Sequence, residues 1–301
     1  MLSKVKHFNN QYLFSTKVDT AKLVSALVDD LKKQIDKVTI EETTQVGTLG
    51  VFFTIYINGN KKFVKTHLKG DEYRKNLIKE IDILITLYSD MLSIERKDIF
   101  IEDFNYTFLI MDFLDKPIST IDIDIIESCI KNYNQRLGNL DSYKNVDLNY
   151  SIEDVIKEGF HSLNILNDSG MITKNMKNQC EDAIHGIELN INNFVPMVCH
   201  GDLSNANILQ LDGNLIVIDW EDALFAFENY DFLYWLTFYT QRKYYSKSLL
   251  CNRNIDLNWA KSVMALIVTV KSALSYTRGN YLGNSIPFED RLLEIFQISD
   301  Y

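Results

Sequence analysis

The chain has 301 residues, of which 46% are hydrophobic and 24% charged, enough apolar material for one large domain or two lobes and too much for a disordered chain. Its 31 Lys and Arg against 41 Asp and Glu leave a formal net charge of -10, which argues against a broad basic face for nucleic acid. Cys129, Cys180, Cys199 and Cys251 stand far apart with no C-x-x-C pair, so the sequence predicts reduced thiols in a cytoplasmic protein and neither a zinc knuckle nor a disulfide framework. Residues 1–10 hold no apolar core of signal-peptide length, and the longest apolar run, Val263 to Val270, falls well short of the ~20 residues that span a bilayer.

Leu23, Leu27, Leu31 and Ile35 recur every four residues after Asp19, a candidate N-cap, and predict an amphipathic helix over 19–37. Three runs rich in β-branched and aromatic residues follow, Val38 to Val46, Val51 to Ile57 and Phe63 to Leu68, with the hairpin signal Asn58-Gly59 between the last two. Helical spacing returns from Glu72 to Leu87 through Leu77, Ile81 and Leu84, and two strand-like runs close the region at Ile99 to Glu102 and Tyr106 to Phe113. The first part of the chain therefore reads as an antiparallel five-stranded sheet with one main helix.

After Pro117 the pattern is mostly helical, over 120–137, 151–168 and 172–192, from about Tyr230, and over 258–277 and 287–296. One hairpin interrupts it, Asn207 to Leu211 and Leu215 to Asp219 around Asp212-Gly213-Asn214. No repeat or Pro/Gly/Ser linker is visible, so the division near Leu114 to Ile118 reads as a tight hinge between 1–114 and 115–301.

The chemistry lies in Cys199-His200-Gly201-Asp202-Leu203-Ser204-Asn205-Ala206-Asn207 and in the hairpin that ends Ile218-Asp219-Trp220. A turn centred on Gly213 makes Asn207 and Asp219 direct cross-strand partners, with Cβ atoms about 5 Å apart; a one-residue change of register makes them diagonal neighbours. An amide oxygen and a carboxylate at that separation suit Mg²⁺, which takes one or two protein oxygens and completes its shell with water and phosphate. Asp202, five residues before Asn207 on an irregular loop, can accept a hydrogen bond from an incoming hydroxyl. This is the layout of a phosphoryl-transfer site.

His-x-Asp-x-x-x-x-Asn followed by Ile-Asp-Trp resembles the catalytic and metal-binding segments of the aminoglycoside phosphotransferase and choline kinase group, whose members share the bilobal protein-kinase-like fold. The resemblance implies an α+β fold with a nucleotide-binding lobe over 1–114 and a helical lobe with the catalytic loop and acceptor pocket over 115–301. It implies roles residue by residue. Lys65 resembles the third-strand lysine that holds the α- and β-phosphates, and Glu80 its ion-pair partner. Gly47 and Gly50 bound the turn that covers the phosphates, and Met111, Asp112, Phe113 and Leu114 look like the hinge that receives the nucleotide base. His200 resembles the histidine that braces the catalytic loop, Asp202 the catalytic Asp, and Asn207 and Asp219 the metal ligands. Arg136-Leu137-Gly138 departs from the group, whose members often carry a histidine at that helix end.

The long helical interval from Leu114 to His200 and the want of an A-P-E-like segment after Asp219 favour small-molecule kinases over protein kinases. The reading is an ATP- or GTP-dependent, Mg²⁺-requiring transfer to a hydroxyl of an amino sugar such as an aminoglycoside, or of a choline-like or ethanolamine-like alcohol. A neutral sugar kinase and a nucleotide-binding pseudokinase are the alternatives. The nine aromatic residues from Trp220 to Tyr239 are expected mostly in the core, with the remainder free to line a pocket for a cationic acceptor. Asp231 is expected to tie helix to loop, and His67, His161 and His185 to be ordinary core or surface histidines.

Overall fold

The computed structural model describes residues 19–46, 50–117, 120–138, 148 and 150–299. The first helix among the described residues, α1 (Thr20–Leu31), is capped by Asp19, whose side chain accepts from Lys22 N. It ends earlier than its leucine spacing suggests, because residues 32–34 tighten into a turn, though Ile35 still packs on the core that the helix builds. Five strands follow around one long helix: β1 (Val38–Val46), β2 (Gly50–Ile57), β3 (Asn60–His67), α2 (Asp71–Tyr88), β4 (Ile94–Ile101) and β5 (Phe104–Asp112). They form one antiparallel sheet in the order β1-β2-β3-β5-β4. Strand β4 begins at Ile94, five residues before its apolar run, because Glu95, Arg96, Lys97 and Asp98 put charges on a sheet edge, where they cover an unpaired ladder.

Alternation along the strands divides the sheet into two faces. Val51, Phe53, Ile55, Val64, Phe108 and Ile110 turn to α1 and pack on Leu23, Leu27 and Leu31. Lys65, the neighbour of Val64, turns to the opposite face, towards α2. That helix buries Leu77, Ile81, Leu84 and Leu87 at helical spacing, each fully buried leucine or isoleucine contributing about 2 kcal/mol of transfer free energy.

The remaining helices are α3 (Ile123–Gly138), α4 (Ile152–Asp168), α5 (Lys174–Asn190), α6 (Tyr230–Leu236), α7 (Lys247–Cys251), α8 (Leu257–Thr277) and α9 (Phe288–Phe296). Two small antiparallel pairs lie among them, β6 (Met197–Cys199) with β9 (Leu224–Ala226) and β7 (Ile208–Leu211) with β8 (Asn214–Val217). Strands β6 and β9 have three residues each, too few for an alternating pattern to be visible in the sequence.

The chain divides into two compact units. Among the described residues, one unit takes 19–138 with Asn205–Asp222, and the other Leu148–Ser204 with 223–299. The first unit reaches past 114 because α3 and the β7–β8 hairpin pack with α2 and the sheet. Asp115 and Gln210 exchange backbone hydrogen bonds at 3.0 and 2.9 Å, Arg136 donates to Leu87 O, and Tyr133 meets Trp220 edge-on with ring centroids 5.1 Å apart. No helix among the described residues is long and apolar enough to cross a membrane.

Candidate active site

In the first unit the chemistry centres on Lys65. Glu80 falls in the apolar stripe of α2 between Leu77 and Leu84, so the helix buries a carboxylate at 2% exposure, which is tolerated only with a partner. Lys65 Nζ donates to Glu80 Oε2 at 2.6 Å and to Asp219 Oδ1 at 2.7 Å, and stands 3.1 Å from Glu221 Oε1. Asp219 N donates to Glu80 Oε1 at 3.1 Å. Burial alone would lower the Lys65 pKa, but the charges of Glu221, Glu80 and Asp219 hold it well above its ordinary value. Burial pushes both Glu80 and Glu221 up, against the pull of Lys65.

The β7–β8 hairpin delivers Asp219. Its turn is the two-residue Asp212-Gly213, with φ of 50° and 83°, so Ile208 faces Val217 and Asn207 faces Ile218, whose N donates to Asn207 O at 2.9 Å. The direct pairing of Asn207 with Asp219 expected from a turn centred on Gly213 is thus corrected by one residue. Asp219 leaves the strand in a left-handed conformation, φ 67°, and buried Trp220 donates from Nε1 to Val217 O at 2.8 Å. Asp219 and Glu221, on either side of that anchor, both reach Lys65.

Ligand oxygens of Glu80, Asp219 and Glu221 lie within 4.8 Å of one another. Asp219 is the solvent-facing member, its side chain 42% exposed, whereas Glu80 and Glu221 are closed around Lys65. An oxygen-only donor set with one accessible carboxylate suits a hard cation that keeps most of its shell for water and phosphate.

In the second unit, the loop 200–202 is fixed from α6. Asp231 accepts from His200 N at 2.8 Å and from Gly201 N at 3.0 Å, the tie from helix to loop that the sequence suggested. His200, fully buried, accepts at Nδ1 from Asp202 N at 3.2 Å, so the imidazole holds the backbone of the catalytic candidate. Asp202 is half-buried, and its Oδ1 accepts from the Tyr234 hydroxyl at 2.8 Å.

The hinge residues follow β5. Asp112 accepts from Lys62 Nζ at 2.6 Å and from Ser93 N at 2.7 Å, and Lys61 lies 4.0 Å from the centroid of Phe113. Among the described residues, Phe113 and Leu114 make no backbone hydrogen bond, between the last ladder residue Asp112 and the bridge at Asp115. Gly47 lies outside the described residues. Gly50 opens β2 opposite His67, and a Cβ there would meet Thr66 O at 2.4 Å, so close backbone approach alone requires glycine at that position.

Three residues escaped the sequence reading. Glu221 carried a signal, the second carboxylate two positions after Asp219 across a tryptophan. Tyr234 and Lys271, which lies over its ring at 4.2 Å, had none, since nothing local marks one aromatic of nine or one helix lysine as adjoining Asp202. Of the aromatic cluster, Trp220, Phe227, Tyr230, Phe232 and Trp235 are core, while Tyr234 and Phe238 are half-buried. His67 is a core histidine and His161 and His185 are exposed.

Residues 179–245 match the Phosphotransferase enzyme family. Among solved structures, a thermostable mutant of an aminoglycoside phosphotransferase, in ternary complex with AMP-PNP and hygromycin B, superposes with a TM-score of 0.61 at 14% identity, covering 90% of this chain and 97% of that one. Ethanolamine kinase from Plasmodium vivax does so with a TM-score of 0.58 at 16% identity, covering 98% and 93%. No curated protein sequence matches. The resemblance read from His200 to Trp220 is therefore borne out twice: the segment that carries it matches the phosphotransferase enzyme family, and the chain has the protein-kinase-like fold of these kinases.

Proposed function

We propose that the protein is a small-molecule kinase that transfers the γ-phosphoryl group of ATP or GTP to an alcohol. The observation that carries this reading is the buried Lys65 ammonium, joined at once to Glu80 of α2 and to Asp219 at the end of the hairpin. A structural ion pair needs one carboxylate, and the half-exposed second one supports a phosphate and metal site. Lys65 positions the phosphates, Glu80 orients Lys65, and the unpaired backbone of Phe113 and Leu114, with Met111 and Asp112 leading into it, receives the base. Gly50, with Gly47, belongs to the turn over the phosphates. Asp219 and Asn207 hold Mg²⁺, which when bound draws charge off the phosphate oxygens.

Asp202 accepts the hydroxyl proton or orients the hydroxyl, with Tyr234 and His200 fixing its position. Hygromycin B and ethanolamine, named with the two similar kinases, both bear amines and support an amine-bearing acceptor as one reading. Lys271, beside Asp202, favours a second: an acceptor with no cation. A reducing, cytoplasmic setting completes the proposal, and the four free thiols are consistent with it. Phosphorus NMR of the protein with Mg²⁺, ATP and a panel of alcohols tests the reading. A phosphomonoester resonance growing in step with ADP is expected; nucleotide that binds without any phosphoester, as in a pseudokinase, would contradict it.

A further inference from the structure

Beside Asp202 the chain holds a cation that the roles above do not use. Lys271, on α8, places its Nζ 3.5 Å from the centroid of the Phe238 ring and 4.2 Å from that of Tyr234. It donates to Thr237 Oγ1 at 3.3 Å, while the Thr237 hydroxyl spends its own proton on Tyr234 O at 2.6 Å. The Tyr234 hydroxyl donates to Asp202, so a single ring carries the ammonium on its face and the catalytic carboxylate at its edge. Among the described residues no carboxylate forms an ion pair with Lys271. Arg291, donating to Thr237 O at 2.9 Å, brings a second cation to the same segment. Both carboxylate oxygens of Glu294 accept from Arg242, through Nε and Nη2.

This arrangement reverses the expected use of the aromatic cluster. Two half-buried rings of the cluster, Tyr234 and Phe238, do bind an ammonium by quadrupole attraction, but the ammonium is the chain's own. Burial pushes Lys271 down to about 7, helped by Arg291 and opposed by Asp202. A charge so poorly compensated gains from an arriving anion and repels an arriving cation.

We propose that Lys271 selects the acceptor: held by Tyr234 and Phe238, it fills the aromatic cation site itself and takes the anionic group of an alcohol, a carboxylate or a phosphate, whose hydroxyl goes to Asp202. The inference rests on the kinase reading for the role of Asp202. Glucuronate, glucose 6-phosphate, glucose and glucosamine form a charge series on one scaffold. They are titrated calorimetrically into the full-length protein with AMP-PNP and Mg²⁺, and phosphoryl transfer from ATP to each is measured separately. At least one anion binds about tenfold or more tighter than glucose, and glucosamine binds more weakly than glucose; the better anion tells carboxylate from phosphate. Lys271→Met brings the four to within about threefold of one another, and Lys271→Arg keeps their order. Glucosamine binding as tightly as the anions, an unchanged order in Lys271→Met, or no binding of either anion would overturn the proposal. An anion preference without transfer to any sugar keeps the anion site and removes the kinase reading. Transfer to glucosamine in preference to the anions does the reverse.

Discussion

Tyr234 touches Asp202 from a helix thirty-two positions further along the chain. A hydrogen bond to a charged group contributes about 1.5 to 3 kcal/mol, and here it fixes the direction of the carboxylate proposed to meet the acceptor hydroxyl. Tyr234→Phe keeps the ring, and with it the Lys271 contact, while deleting the donor. Its kcat should fall about tenfold with nucleotide affinity unchanged, measured by steady-state kinetics and nucleotide titration; an unaltered kcat would show that Tyr234 only packs. Asp202, Asn207 and Asp219 stand out in the sequence as candidates because the spacing of a loop and a hairpin groups them locally. Glu221, Tyr234 and Lys271 do not, because they come to Lys65 and Asp202 only by tertiary approach.

His67, at the end of β3, shows how an element's fit sets its response to acid. Its Nδ1 donates to Leu68 O at 2.8 Å and its Nε2 accepts from Thr107 N at 3.0 Å, and its ring stacks on Tyr106 at 5.4 Å. Both nitrogens are used by the neutral form. Burial, with Arg74 adding to it and the bond to Leu68 opposing, pushes the imidazole from 6.5 down to about 4. Between those values the unfolded chain binds a proton that the native sheet refuses, so stability falls as pH drops through that window and the loss is complete below about 4. The full loss is about 3 kcal/mol. Urea unfolding from pH 7 to 4 should show this slope, and His67→Gln, which cannot titrate, should flatten it; equal slopes in both proteins would contradict the assignment.

Among the helices, α4, α5 and α8 meet where Gly159 leaves no room. A Cβ there would lie 2.4 Å from Leu266 Cδ1 and 3.1 Å from Ile184 Cδ1, both residues fully buried. Gly159→Ala should therefore destabilise by about 1 to 3 kcal/mol, despite the better helix propensity of alanine. An unchanged urea midpoint would mean that Leu266 shifts without strain. The longer helices were plain in the sequence, since they carry apolar residues three and four apart, whereas the five-residue α7 had too few residues to show a period. Their ends were less so: α1 stops at Leu31 although Ile35 continues the spacing. Strand β4 was cut short by charges that an edge strand needs.

For the molecule as a whole, the acidic balance takes on a location. The excess of Asp and Glu lies mainly in the unit that carries Lys65, where three carboxylates converge on one ammonium, while Lys271 and Arg291 put cations around the segment that faces Asp202. The net charge of -10 is thus not concentrated in the unit that carries Asp202. The hairpin that bears Asp219 belongs to the same compact unit as the sheet that bears Lys65. The order of motifs revealed the fold; the packing of Trp220 and Tyr133, which moves the hairpin to the first unit, has no local signature.

Asp202 is proposed to serve transfer and not nucleotide binding. Single-turnover phosphoryl transfer from radiolabelled ATP to the best acceptor, in wild type and Asp202→Asn, tests it most directly. The expected rate is about a thousandfold lower in the variant, with the ATP dissociation constant within about threefold of wild type. Transfer at the wild-type rate in Asp202→Asn would contradict it.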